Sequence, residues 1–116
     1  MPDRKDVEFL HINDIEPVIT SHGVGEKRVI ATRANAGIPI TQIARTKLLD
    51  GEVVEEHVHP TMDEHFFFLE GECEVVVDGN VVKCVGDDYL LVPAGHYHGL
   101  KAVAIIVVIT LGIALE

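Results

Sequence analysis

Short runs rich in Val, Ile and Thr recur along the whole chain, each stopped within a few residues by a Gly, Pro or Asp turn signal, and no window of a dozen residues sustains a helical period. The runs are Val7–Ile12, Val18–His22, Arg28–Arg33, Ile40–Leu48, Val53–His59, Glu64–Leu69, Cys73–Val77, Val81–Val85, Tyr89–Val92 and Ala102–Thr110. Between them lie Gly23, Gly37-Ile38-Pro39, Asp50-Gly51, Gly71, Asp78-Gly79, Gly86 and Pro93-Ala94-Gly95. Strands at this spacing predict an all-β sandwich or barrel with very little helix. With 116 residues and no repeat or linker, the chain reads as one domain, 1–116.

One hairpin can be put in register. A two-residue turn at Asp78-Gly79 supplies the positive-φ positions of a type I′ hairpin and sets Val76 opposite Val81, Val75 opposite Val82, Glu74 opposite Lys83 and Cys73 opposite Cys84. Glu74 and Lys83 then form an opposite-charge pair. Cys73, Val75, Val77, Val82 and Cys84 share the face expected to meet the core. The opposed cysteines read as buried thiols, with a cross-strand bridge as the alternative, since Met1–Asp6 carries no export signal. The same N-terminus predicts a cytoplasmic protein. Its longest apolar run, Ala102–Leu115, is too short for a membrane span. Nine basic against 19 acidic residues give a net charge of −10, which argues against nucleic acid as a partner.

Chemistry concentrates between His57 and His98, where five of the seven histidines lie. Strand alternation puts Glu55, His57 and His59 on one face, with residues two apart separated by about 6.6 Å, close enough for two imidazoles to converge on one ion. Pro60-Thr61-Met62-Asp63 breaks the strand and Glu64 opens the next, while the Pro93-Ala94-Gly95 turn delivers His98 from a distant segment. Three imidazoles and a carboxylate suit one divalent transition metal ion: Fe, Mn, Ni or Zn. Four protein ligands leave two positions open on an octahedral ion, as a catalytic site requires.

These residues carry a resemblance. Gly51-x5-His57-x-His59-x4-Glu64-x6-Gly71 matches the first cupin motif at every position, and Gly86 to His98 resembles the second. In the latter, the Pro93-x-Gly95-x2-His98 core is intact, one extra residue separates Gly86 from Pro93, and Ala102 stands where the family has Asn. The resemblance covers 51–71 and 86–98 and implies a cupin double-stranded β-helix, or jelly-roll, barrel with His57, His59, Glu64 and His98 holding a metal inside. It implies a metal-dependent enzyme acting on a small polar or anionic metabolite, of dioxygenase, isomerase or epimerase, lyase or decarboxylase type. The alternative is a non-catalytic cupin that binds or senses a sugar-like small molecule.

Around the quartet, Phe66 and Phe68 share the face of Glu64 and read as cavity wall or as plain core. Arg45 and Lys47, two apart on one strand, are candidates to hold a substrate carboxylate or phosphate if that face is inward. His96 reads as a pocket-rim base or a solvated loop residue, His65 points away from Glu64, and His11 and His22 read as ordinary partly exposed side chains. Phe67 and Leu69 make one strand apolar on both faces, so something must cover its outside; a homodimer is expected.

Overall fold

A computed structural model describes residues 8–115. β-Branched and aromatic residues build ten strands: β1 (Val18–Ile19), β2 (Glu26–Thr32), β3 (Ile40–Leu48), β4 (Val53–His57), β5 (Met62–Glu70), β6 (Glu72–Val77), β7 (Asn80–Val85), β8 (Tyr89–Val92), β9 (His98–Ala102) and β10 (Ile106–Ala114). They form two sheets in which every pairing is antiparallel. One has six strands in the order β1-β2-β3-β10-β5-β8, and the other four in the order β4-β9-β6-β7. The two inner faces enclose a core of Leu48, Phe66, Phe68, Cys73, Val75, Cys84, Val92, Leu100, Ala102, Ile106 and Val108. Among the described residues no helix is long and apolar enough to cross a membrane.

Sequence and structure part company in a few places. Residues 8–11 form no strand; Ile12–Asp14 is a 3₁₀ turn instead, and Val7 lies outside the described residues. Val18–His22 shortens to the two residues of β1, because Gly23 and Gly25 both take positive φ and turn the chain immediately afterwards. Arg33 opens one helical turn, Arg33–Ala36, capped by reciprocal contacts of Thr32 with Asn35 and closed by left-handed Gly37. The strand expected over Ala102–Thr110 is two strands: Ala102 ends β9, and 103–105 turn the chain into β10.

The β6–β7 hairpin has the expected register, residue for residue. Asp78 and Gly79 have φ of 49° and 82°, as the type I′ turn demands. Cys73, Val75 and Cys84 are buried, Val77 is half-buried, and Val82 is exposed because β7 is the edge of its sheet. Both cysteines are free thiols. The extra residue between Gly86 and Pro93 falls beside a turn in which Asp87 takes a left-handed φ of 74° and donates its N–H to Phe68 O at 2.7 Å.

Candidate metal centre

Three local devices assemble the site. The first is a bulge. Along β4 the partners of β9 step from Val54 to His57, while along β9 they step only from Leu100 to His98, so β4 carries one extra residue there. Gly99 makes room for it: a Cβ at this position would meet Val54 O at 2.8 Å and Glu56 N at 2.9 Å. The bulge pairs His57 with His98 and breaks the alternation, so Glu55, expected on the face of His57, is exposed along with Glu56.

The second device holds the loop. β4 ends at His57, and His59 is fixed beyond it because Gly95 donates its N–H to His59 O at 2.9 Å, while Ala94 donates to Asp63 Oδ1 at 2.8 Å. The Pro93–Gly95 turn is thereby tied to both sides of the β4–β5 connection. The third orients the rings. His57 Nδ1–H donates to Glu55 O at 2.7 Å and His98 Nδ1–H to His96 O at 3.2 Å; since a carbonyl only accepts, the proton sits on Nδ1 and each Nε2 is left for the centre.

The result is a compact group. One ligand atom from each of His57, His59, Glu64 and His98 lies within 4.8 Å of all the others. Ring centroids are 4.8 Å apart for His57 and His59, 4.4 Å for His57 and His98, and 5.4 Å for His59 and His98. Donors 2.0–2.2 Å from a common ion are separated by roughly 3 Å when adjacent and 4.4 Å when opposed, so the group fits one transition ion after shifts of a few tenths of an ångström. Glu64 Oε1 lies 3.1 Å from His98 Nε2 and 3.6 Å from His59 Nε2. Burial opposes a charge on His98, but its hydrogen bonds to Glu64 and to the His96 carbonyl outweigh burial and raise its pKa above the ordinary value. His59 is shifted the other way, chiefly by burial, with Glu64 pulling against it.

The quartet opens into a cavity of about 350 Å³ between the sheets. Phe66 forms part of its wall, with its ring 6.1 Å from that of His98, whereas Phe68 is buried in the core behind it. Arg45 and Lys47 stand on the outer face of the six-stranded sheet: the inward positions of β3 are Ala44, Thr46 and Leu48. With Arg28, they border a separate depression of about 310 Å³, where Arg28 donates to the carbonyls of Asn13 and Ile15, and Arg45 to the Asn13 side chain. Arg28 and Arg45 thereby fasten the 3₁₀ turn. His96 is exposed outside the cavity and pairs with Asp78 Oδ2 at 2.5 Å, so it braces the hairpin turn. His65 points outward and contacts Tyr89 Oη at 2.6 Å.

Two cavity residues escape a reading of the sequence. His22, in the β1–β2 connection, lines the cavity with its ring 4.4 Å from that of His57, and burial together with the neighbouring His57 lowers its pKa. Lys27 of β2 also lines the cavity. Nothing local marks His22, because only the turn at Gly23 and Gly25 folds it back; Lys27 could be found only by knowing the pairing of β2 with β3.

Comparison with known proteins agrees with this picture. The cupin domain family model matches residues 44–109. Tetracenomycin polyketide synthase protein TcmJ of Streptomyces glaucescens is 31% identical over 77 residues, which are 66% of this chain and 52% of that protein. Polyketide synthase CurC of Streptomyces cyaneus is 26% identical over 101 residues, 87% of this chain and 64% of that protein. The chain thus spans between half and two thirds of these curated relatives. A predicted oxalate decarboxylase from Thermotoga maritima superposes with a TM-score of 0.85 at 20% identity, covering 93% of this chain and all of the other. An RmlC-like cupin from Shewanella frigidimarina gives 0.79 at 18% identity, covering 96% and 94%. Such structural likenesses show the fold, and the family match, over more than half of the residues and including all four of the converging side chains, shows that the chain belongs to the cupin family.

Proposed function

We propose that this protein is a metal-dependent enzyme acting on a small polar or anionic metabolite, with His57, His59, Glu64 and His98 as the ligands of one Fe, Mn, Ni or Zn ion. The observation that carries the reading is the convergence of these four ligand atoms within 4.8 Å in the wall of a 350 Å³ cavity. A bound divalent ion would supply Lewis-acid polarisation of a substrate oxygen, or redox chemistry, at coordination positions the four side chains leave free. The chain's own residues do the rest. Backbone carbonyls of Glu55 and His96 hold two rings in one tautomer, Glu64 balances the positive charge collected in the site, and Phe66, Leu48, Val54, Leu100 and Val108 line the cavity with apolar surface that restricts water.

The polyketide synthase names of the two Streptomyces relatives support a polyketide-like molecule as the substrate class. Elemental analysis of the purified protein, followed by turnover and oxygen-consumption assays with a panel of organic acids, tests the proposal. About one equivalent of a transition metal and turnover lost in Glu64→Gln are expected. Iron with O₂ uptake assigns a dioxygenase; metal without uptake assigns an isomerase, lyase or decarboxylase. Metal and a bound acid without turnover would make the chain a binding cupin instead.

A further inference from the structure

Lys27 is the cavity's one cationic side chain among the described lining residues, apart from the histidines. Charged groups seldom face the inside of a small barrel without a partner. Yet the half-buried Lys27 side chain makes no hydrogen bond or ion pair among the described residues. Its register partner on β3 is Thr46, which lines the same cavity, so an ammonium and a hydroxyl stand side by side on the inner face. The neighbouring pair, Arg28 opposite Arg45, faces outward, which confirms which way the Lys27–Thr46 rung points.

The sheet also gives the distance from this rung to the quartet. Glu64 lies opposite Gly112, Gly112 opposite Gln42, and Gln42 is four residues from Thr46, whose partner is Lys27. Three strand spacings across and four residues along place the Lys27 backbone roughly 20 Å from that of Glu64, measured over the curved sheet. The wall between them includes Leu48, Val108 and Phe66. The two ends are joined by an apolar stretch of wall, which suits an acid with an apolar body.

We infer that Lys27, with Thr46, is the anion-binding subsite of the cavity, and that the ligand is an elongated organic acid: its carboxylate sits at Lys27, its apolar body lies along Leu48 and Val108, and its far end points at the quartet. The inference rests on the metal reading only for the identity of that far end. It assigns to Lys27 the role that Arg45 and Lys47, on the outer face, cannot play.

The test is a titration of acetate, butyrate, hexanoate and octanoate, and of the matching amides, into metal-free and zinc-loaded protein at pH 8, followed by NMR shifts of the backbone amides. Affinity is expected to rise with chain length and to be at least tenfold weaker for each amide, as loss of a charge-assisted hydrogen bond implies. Lys27→Met should weaken octanoate at least tenfold in both protein forms, Lys27→Arg should restore it, and Arg45→Met should leave it unchanged, with zinc content the same in all four proteins. Octanoate that binds only the zinc-loaded protein, indifferently to Lys27→Met, would place the carboxylate on the metal and overturn the inference while leaving the metal reading intact. Lys27-dependent binding in a protein that takes up no zinc would do the reverse. No binding by any carboxylate, or equal binding of acids and amides, overturns the inference.

Discussion

At the scale of single residues, the quartet and the two thiols make separate predictions. His98 is 2% exposed and held by its Nδ1 to the His96 carbonyl, so His98→Ala removes a ligand from the buried part of the group. Metal content is expected to fall well below one equivalent, whereas His22→Ala, whose ring touches His57 but lies outside the four-atom group, should keep it. Elemental analysis of both variants checks this, and equal loss in the two would dissolve the assignment. Cys73 and Cys84 face each other across β6 and β7. Burial first, then the neighbouring Cys84, pushes Cys73 up to about 12, and burial raises Cys84 as well. The unfolded chain sheds these protons first as pH rises through about 9, so the thiols' contribution to stability is complete below pH 9 and is lost progressively towards pH 12. Urea midpoints at pH 8 and pH 10.5 should therefore drop less in Cys73→Ala than in the parent, and iodoacetamide should label neither thiol until the protein unfolds.

At the scale of elements, the turns carry the precision. Gly71 joins β5 to β6 with φ of 88°, and a Cβ there would lie 2.0 Å from the carbonyl oxygen of Ile105. Backbone cannot step aside as a flexible side chain can, so Gly71→Ala combines a left-handed strain with overpacking and should cost about 2–4 kcal/mol, read as a lowered urea midpoint with an unchanged m-value. Gly79 sits at similar φ with open space around it, so Gly79→Ala should cost only the backbone strain, about 1 kcal/mol. The difference between the two isolates steric contact from conformation.

At the scale of the whole molecule, the part of the six-stranded sheet's outer face built from β10, β5 and β8 is apolar. Phe67, Leu69, Tyr89 and Leu91 are between 40% and 53% exposed, and β10 adds Val107, Ile109 and Leu111 beside them. We propose that a second copy of the chain covers this face in a two-fold homodimer, because a surface of this kind is self-complementary when the same patch meets itself. Sedimentation at micromolar concentration should give a dimer, and Phe67→Glu should return it to a folded monomer; a parent that sediments as a monomer removes the proposal. Metal binding should act on the same global stability, since His57, Glu64 and His98 belong to three different strands: at a hundred times the dissociation constant, about 2.7 kcal/mol and several degrees of melting temperature are expected.

Whatever depends on residues near one another in the chain could be read from the sequence: the β class, the hairpin register through Asp78-Gly79, and the motif spacing that singles out His57, His59, Glu64 and His98. Short-range geometry is set by backbone dihedrals and the two-residue side-chain period, which act locally. The direction in which β3 presents Arg45 and Lys47, the return of His22 to His57, and the place of Lys27 opposite Thr46 were decided only by tertiary structure. A strand's pattern fixes which residues share a face, but which face turns inward is settled by pairing between segments far apart in sequence, and a single bulge such as the one between Val54 and His57 shifts every assignment beyond it.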